Sequence, residues 1–355
     1  MGIFVKRFEE INKGMSQECG GKASHLGELT SLKLSVPKGF CVLADAFCNH
    51  LKRNNLDEQI EEIANGIDYT NFQDLEQKTE KIRTLIEGAD IPHEIEKEII
   101  ENYGGLLKDE PEPFVAVRSS VAVRGSSISS FPGMMDTYYY LRGGETIVAN
   151  VKKCWASVWS ARAASTRRTK GVEHSKAIIA PVVQKMVNAR TAGVMFTLNP
   201  VNGDRSKIVI EGSWGLGESV VSGALTPDRF MVDKVMLEIN ERNIFPKNIE
   251  CVFDPEKCEA VNADVTPERQ SKPCLEDLEI KELVRIAKSI EKHYGCPQDI
   301  EWAIEKDLPF PENVHILQSR AESVWSQRKK APVIGNKSGY ELLMEKALST
   351  IKIKV

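Results

Sequence analysis

The sequence predicts an α+β protein with two blocks of mixed helices and strands. Up to about residue 110 the sequence pattern predicts helices, because apolar residues such as Leu75, Ile82 and Ile86 recur at helical spacing. The first predicted strand, FVAVR (114–118), is rich in β-branched residues, and a second group of predicted strands follows from residue 178. Helices and strands mixed within both blocks indicate the α+β class.

The composition is that of an ordinary globular chain, long enough for two domains or one large bilobal domain. Of 355 residues, 41% are hydrophobic and 28% are charged, and the net charge is −4. This balance creates no basic field for nucleic acid or an anionic membrane. The chain has no apolar run of the roughly 18 residues that cross a bilayer, and its N-terminus lacks a signal-peptide pattern. We therefore expect a cytoplasmic protein without nucleic-acid or membrane partners.

The eight cysteines are scattered along the chain, and no two of them form a CxxC pair. Structural zinc sites need closely spaced Cys or His ligands, so no zinc site is expected. In a reducing compartment, cysteines of this kind are small buried hydrophobic residues.

In the first block, an amphipathic helix is predicted where apolar residues recur from Val148 to Val158. We place Arg162, Arg167 and Arg168 towards the C-terminal end of this helix, where positive charge complements the helix dipole.

The second block begins with strands at IIAPVVQKMV, AGVMFTL and KIVIE. A helix is predicted from 275 to 294, with Leu278, Leu283 and Ile290 on its apolar side. Two closing strands, DIEWAI and VHILQSR, are joined by the proline-bearing turn KDLPFPEN. Beyond Trp325 the composition is that of a linker, and a short helix is predicted after it. Residues 331–355 are therefore a candidate docking element for a partner, or they pack on their own domain.

Three segments carry groups suited to binding an anion. Glycines at 20 and 21 let backbone N–H groups approach an anion closely, and Lys22 adds a movable charge. These residues do not form a Walker A loop, and taken alone they are better explained by a solvated turn. Arg118 ends a buried strand, where its guanidinium can grip a phosphate or pair with a structural carboxylate. The loop 131–137 can close over phosphates or be a plain surface loop.

The closing strand pair predicts a magnesium site. Side chains alternate along a strand, so Asp299 and Glu301 share one face. By the same alternation, Ile316, Gln318 and Arg320 share a face of the partner strand. If the strands pair as a hairpin, a carboxylate and an amide oxygen converge beside an arginine, and these are hard ligands that suit Mg²⁺. The alternative is a ladder of surface salt bridges.

These motifs occur in the order found in one family. The chain resembles the N-terminal nucleotide-binding domain of phosphoenolpyruvate synthase, pyruvate phosphate dikinase and rifampin phosphotransferase. The shared stretches include GGKASHLGEL, AVRSS, SFPGMMDT, PVVQKMV, GVMFTLNP, IVIEGSWGLGESVVSG and DIEWAI with ILQSRAESVW, and they run from residue 14 to 326. The resemblance implies an ATP-grasp-like bilobal fold with lobes at 1–187 and 188–327 and an extension at 328–355. The turn KDLPFPEN is longer than is usual in the family, so the register of Glu301 against Gln318 stays open.

The resemblance also implies a role for each matching residue. ATP and Mg²⁺ are the implied cofactors. The resemblance places the phosphates at Lys22, Arg118 and Arg320, under the loop that contains Gly133, Asp136 and Thr137. It places the adenine at Gln184 and the backbone of Met186, in a pocket lined by Glu211 and Glu218. It assigns Mg²⁺ to Glu301 and Gln318.

Enzymes of this family split ATP to AMP and phosphate and leave the β-phosphate on a histidine of a swivelling domain. Among the six histidines, only His25, in ASHLG, mimics the context of such an acceptor, and it lies inside the N-terminal ATP motif, where we interpret it as structural. We therefore expect a histidine-domain phosphocarrier subunit as the partner.

This architecture most resembles the β subunit of phenylphosphate synthase, which implies phenol as the final acceptor. Two alternatives stay open at this point. The chain is the nucleotide domain of a phosphoenolpyruvate synthase or a rifampin-phosphotransferase-like enzyme with another acceptor, or it is a non-catalytic subunit that senses ATP.

Overall fold

The computed structural model describes residues 3–106, 112–123, 136–254, 257 and 259–325. One compact unit ends at Ala321, and a second begins at Glu322. The predicted docking segment 331–355 lies outside the described residues. The predicted lobe boundary at residue 187 stays a prediction.

Ten α-helices occur in the described ranges, and none of them is long and apolar enough to cross a membrane. They are α1 (Ser16–Ser31), α2 (Ala44–Arg53), α3 (Leu56–Asn65), α4 (Phe72–Gly88), α5 (His93–Leu106), α6 (Gly144–Ala156), α7 (Ala161–Thr169), α8 (Glu218–Val221), α9 (Pro267–Gln270) and α10 (Asp277–Tyr294).

Fifteen strands occur in the same ranges. They are β1 (Val5–Arg7), β2 (Gly39–Val42), β3 (Val115–Arg118), β4 (Val121–Val123), β5 (Thr137–Leu141), β6 (Ala177–Ile179), β7 (Val182–Lys185), β8 (Ala189–Phe196), β9 (Lys207–Trp214), β10 (Asp228–Asp233), β11 (Ile239–Asn243), β12 (Ile249–Asp254), β13 (Glu259–Asp264), β14 (Gln298–Glu305) and β15 (Val314–Ala321).

The first large sheet has the order β1-β2-β7-β3-β5. Its strands β2, β3 and β7 are mostly buried, and their apolar residues share one hydrophobic core with helices α1 to α7. Two buried tryptophans, Trp155 and Trp159, belong to this core. The predicted strand FVAVR is confirmed as β3, which lies inside the sheet between β7 and β5. Because β3 is hydrogen-bonded on both sides, the backbone from which the Arg118 side chain extends is held rigidly.

The second large sheet is antiparallel and has the order β11-β10-β9-β8-β14-β15. One face of this sheet is covered by α10, whose Leu283 and Ile290 are fully buried in a core with Ile300 and Trp302 of β14. The helix starts at a capping box formed by Glu276 and its N3 glutamate, as expected for a stable N-terminus. Its apolar stripe and the alternating pattern of β14 therefore bury each other.

Two predictions about helices are wrong in detail. The helix from Val148 ends at Ala156, and Ser160 caps a new helix, α7, so Arg162 lies at the start of a helix rather than at the end of one. Leu278 is 60% exposed in the first turn of α10, because the apolar stripe of that helix begins at Ile280.

The closing strands form the predicted hairpin, and a β-bulge changes its side-chain pattern. Glu301 lies opposite Gln318, but the next pair is Trp302 with Ile316, so Leu317 has no partner in the ladder. The prediction that Ile316 shares a face with Gln318 is therefore wrong. Ile316 is buried on the α10 side with Trp302, while Leu317 packs in an apolar patch on the other face. The extra residue thus brings both Leu317 and Gln318 to the face that carries Glu301.

Candidate nucleotide site

A row of aligned residues crosses the second sheet on the face opposite α10. Successive strand pairings join Arg229 to Glu211, Glu211 to Val194, Val194 to Glu301, and Glu301 to Gln318. Residues that are directly opposite in neighbouring strands point to the same face. The open face of the sheet therefore carries two carboxylates, separated by one strand, and an amide.

Arg118 reaches this row from the first sheet. Its Nη2 donates to Glu301 Oε2 at 2.7 Å and to Gln318 Oε1 at 3.3 Å. Its Nη1 donates at 3.0 Å to Gln184 Oε1 and at 3.0 Å to the carbonyl oxygen of Leu317, which the bulge exposes to it. The guanidinium side chain is 13% exposed, so its planar fork is held in a fixed direction. The predicted phosphate-binding arginine and the predicted metal ligands thus meet at one point.

Lys22 lies beside this group at the start of a helical segment. α1 is kinked at Gly20, which has a φ of 71°, and Lys22 is in the first turn after the kink. Burial and the positive charge of Arg118 lower the pKa of Lys22 to about 7, and Glu301 opposes the shift. Burial also acts on Glu301, but the charges of Arg118 and Lys22 outweigh it and hold the pKa of that carboxyl below its ordinary value.

The lowered pKa predicts that ATP binding takes up protons. Polyphosphate beside Lys22 favours its charged form, so the pKa should rise towards the usual value of about 10.4. Lys22 is charged in both states at pH 6 but only on binding at pH 8, so uptake should approach one proton per ATP at pH 8. Affinity should accordingly fall as pH rises above 7.

Calorimetry of ATP binding in two buffers of different ionisation enthalpy measures this proton uptake. The Lys22→Met variant is the control, because it lacks the titrating group and keeps a long side chain. Equal uptake at pH 8 by the variant and the wild type would contradict the assignment to Lys22.

Arg320, the third predicted phosphate ligand, lies at the rim of this site. Its Nε donates to Asp299 Oδ2 at 2.7 Å, and its side chain is 45% exposed. Its charge contributes to lowering the pKa of both Lys22 and Glu301, so it belongs to the same electrostatic cluster. Asp299 holds the guanidinium near the sheet, and the exposure leaves its outer edge accessible to a ligand.

The predicted phosphate-covering loop is described only at its end. Gly133 lies outside the described residues. Asp136 accepts a hydrogen bond from the Tyr138 hydroxyl at 3.3 Å, and Thr137 lies directly opposite Arg118 in the first sheet. The loop therefore ends beside the arginine, where a hydroxyl can reach the same anion.

Gln184 and Met186 lie on the other side of Arg118. Gln184 is 3% exposed, and its side-chain oxygen holds Arg118, while its nitrogen faces the carbonyl of Pro37. The backbone N–H of Met186 donates to Phe114 O at 2.8 Å. Immediately after Met186, Val187 joins Ala192, Leu216, Ala303 and Leu317 in the apolar patch on the open sheet face. An apolar surface thus adjoins the charged group.

Glu211 and Glu218 differ in burial, since Glu211 is half-buried and Glu218 is exposed. Burial raises the pKa of Glu211, and Arg229, whose Nε lies 3.7 Å from Oε1, opposes this shift. Glu218 is exposed at the first position of α8. Its negative charge contributes to raising the pKa of Tyr139, the middle residue of β5.

The donor set fits Mg²⁺. In the part of the chain that the structure describes, no group of three or more His, Cys, Asp and Glu side chains is arranged to hold a metal ion. Glu301 and Gln318 instead offer two hard oxygens that converge on the same nitrogen of Arg118. Mg²⁺ commonly takes one or two protein oxygens and completes its shell with water and substrate phosphates. These two residues would hold such an ion once Arg118 turns to the phosphates.

Three contributors to the site were missed by the sequence reasoning. The hydrogen bond from Arg118 to the Leu317 carbonyl depends on the bulge, which the sequence pattern does not show. Asp299 was predicted on the face of Glu301, but its pairing with Arg320 was not predicted. Tyr139 has its pKa raised to about 12 by burial and by the Glu218 and Glu301 charges, against the effect of Arg118. Its position two residues after Thr137, at the end of the loop, was the available signal.

Comparison with known proteins places the chain in one family. Residues 16–339 match the family described as pyruvate phosphate dikinase, AMP/ATP-binding domain. A probable phosphoenolpyruvate synthase of Staphylothermus marinus is 42% identical over 350 residues, covering 92% of this chain and 42% of that protein. The phosphoenolpyruvate synthase of Pyrococcus furiosus is 38% identical over 356 residues, covering 89% and 43%, respectively. The probable enzyme of Methanocaldococcus jannaschii is 41% identical, covering 92% and 27%.

The chain thus spans less than half the length of these relatives. The match nevertheless covers most of the chain, including every residue of the charged group. This chain belongs to the family of N-terminal AMP/ATP-binding domains of phosphoenolpyruvate synthase and pyruvate phosphate dikinase.

Proposed function

We propose that this domain binds ATP with Mg²⁺ and transfers the β,γ-diphosphate of ATP to a histidine, releasing AMP. Water then cleaves off the terminal phosphate, which leaves as free phosphate, and the β-phosphate stays on the histidine. The observation that carries the proposal is the meeting of Lys22, Arg118 and Arg320 with the oxygens of Glu301 and Gln318. Phosphoryl transfer depends mainly on positioning and on neutralisation of charge. Three cations beside a metal-binding pair supply both.

The two large sheets support an ATP-grasp-like binding mode for the nucleotide. The phosphates would lie on Lys22 and Arg118, with Thr137 beside them. The base would lie against the apolar patch of Val187, Leu216 and Leu317, since such surfaces line most cofactor pockets. In this mode Gln184 positions Arg118 through its side chain.

Each polar group then has one task. The three cations bind the phosphates and favour the charge that spreads over the phosphoryl oxygens during transfer. Mg²⁺, held by Glu301 and Gln318, would supply further positive charge at the phosphate oxygens. When the phosphates draw Arg118 away from Glu301, the freed carboxylate becomes available as a ligand.

The acceptor histidine is proposed to lie on a partner subunit. All six histidines of the chain are described. Four have a side-chain partner: His25 contacts Tyr294 and His174 contacts Tyr69, while His293 and His315 pair with glutamates. His50 is buried against a backbone carbonyl, and His93 is exposed at the start of α5. His25 faces α10, which favours the structural interpretation.

Pyruvate is the final acceptor that the relatives favour, because those compared above are phosphoenolpyruvate synthases or probable ones. Phenol, with phenylphosphate as product, stays a prediction from the resemblance to phenylphosphate synthase. A subunit that only senses ATP would need the binding groups but no transfer, so turnover separates it from the enzyme.

ATP labelled in the β-phosphate tests the proposal, with Mg²⁺, the purified chain and size-fractionated extract of the native source. We expect acid-labile, base-stable label on a second polypeptide only when the chain is present. Adding pyruvate or phenol to the labelled fraction should discharge the label to the true acceptor. ATP binding without label in any fraction would reject the donor function and favour the sensor.

A further inference from the structure

Ser120 is buried between the two elements that carry Lys22 and Arg118. It lies two residues after Arg118, between β3 and β4, and is 1% exposed. Its backbone carbonyl accepts a hydrogen bond from Ala180 N at 2.8 Å, which fixes the segment to the chain just before β7. The position of its side chain is therefore set by the first sheet.

The hydroxyl of Ser120 bonds both sides of the kink in α1. Its Oγ donates to Cys19 O at 2.8 Å and accepts from Ala23 N at 3.2 Å. Cys19 precedes the kink at Gly20, and Ala23 is the third residue after it. One side chain thus satisfies a carbonyl at the end of one helical segment and an N–H in the first turn of the next.

This pattern is that of a helix cap supplied from a distant part of the chain, the connection between β3 and β4. A serine at the N-cap position normally accepts a hydrogen bond from the N–H of the second or third helical residue. Here the cap position is held by Gly20, and a Cβ at Gly20 would overlap the Ser120 hydroxyl. Glycine at the kink and serine at position 120 are therefore complementary: one leaves the space and the other fills it.

We propose that Ser120 is a positioning residue that acts through Lys22. Its hydroxyl fixes the direction of the helical segment from Gly21, and so directs the Lys22 ammonium at the point where Arg118 meets Glu301. Because Ser120 and Arg118 lie on one short segment, the two phosphate-binding cations are aligned by the same piece of backbone. This inference rests on the proposed ATP-binding function.

The test compares ATP affinity, with Mg²⁺ present, for Ser120→Ala and for Thr79→Val. Thr79 is a matched control, since it is fully buried and its hydroxyl donates to Leu75 O at 2.8 Å, within α4. Ser120→Ala should weaken ATP binding about 3- to 30-fold, the range for loss of a helix cap. Thr79→Val should change it by less than about twofold, although both variants lower the urea midpoint.

A double-mutant cycle with Lys22→Met separates positioning from general stability. If Ser120 acts through Lys22, adding Ser120→Ala to Lys22→Met should change the affinity by less than about twofold. Ser120→Ala alone should also reduce the proton uptake at pH 8. An affinity like that of Thr79→Val, or an undiminished loss in the Lys22→Met background, would overturn the inference.

Ser120→Cys is the second variant, in case the alanine form does not fold. A thiol has nearly the volume of the hydroxyl but is a weak hydrogen-bond donor and acceptor. We therefore expect smaller losses of ATP affinity and of proton uptake than in Ser120→Ala. Unchanged affinity and proton uptake in this variant would also overturn the inference. Failure of the wild-type chain to bind ATP would instead reject the proposed function, before the role of Ser120 is tested.

Discussion

Glu301→Gln is expected to slow phosphoryl transfer by about 10²–10³-fold, the scale of loss when one preorganised group that stabilises a transition state is removed. The substitution keeps the size of the side chain and an oxygen for Arg118, which now contacts Glu301 at 2.7 Å. It removes the negative charge that Mg²⁺ needs. The increase in ATP affinity on adding Mg²⁺, measured by calorimetry, should therefore shrink as well.

Glu305→Gln is the control for this experiment. Glu305 lies on the same strand, β14, and pairs with His315 at 2.7 Å instead of with an arginine. Its loss should change transfer and the Mg²⁺ effect by less than about twofold. If both variants lost transfer equally, the effect would belong to the strand and not to the metal-binding carboxylate. If Glu301→Gln kept its full Mg²⁺ dependence, Glu301 would not be a ligand.

Arg320→Ala should also cut transfer by about 10²–10³-fold, but for a different reason. Its guanidinium stands at the rim and contributes charge to a phosphate without being needed by the core, since its side chain is 45% exposed. The fold should survive, because the only partner lost among the described residues is Asp299. The rate of label transfer from β-labelled ATP to the acceptor protein, together with a urea unfolding curve, measures both expectations.

Arg285→Ala provides the matched change on the surface. Arg285 is 66% exposed and pairs with Glu282 in α10, as Arg320 pairs with Asp299. A surface ion pair contributes little to stability, so transfer and unfolding should stay close to wild type. If Arg320→Ala transferred phosphate at the wild-type rate, Arg320 would be only a surface ion-pair partner of Asp299.

Strand alternation and motif order were sufficient to predict which residues meet at the centre of the candidate site. The period of two placed Glu301 on the polar face of β14, and the hairpin brought it opposite Gln318. The strand FVAVR delivered Arg118 to them. These features depend on residues close together in the sequence, or on two strands joined by one turn, and local patterns are most informative there.

The features that sequence reasoning missed depend on distant contacts. The bulge at Leu317 adds one residue without any change in the apolar pattern, so the face of Ile316 was assigned wrongly. The cap that Ser120 supplies to α1 joins residues about 100 positions apart. Ser160, by contrast, was a readable signal for a new helix and was overlooked.

α1 is shared by the two hydrophobic cores. Cys19, Ala23 and Leu26 pack in the core of the first sheet, whereas Leu29, one turn further on, is fully buried in the core of the second. Glu28 also pairs with His293 of α10. Neither core is complete without part of this helix, so its loss would expose apolar surface on both sides. The folding free energy of one sheet therefore cannot be separated from that of the other, and the helix that carries Lys22 makes their folding cooperative.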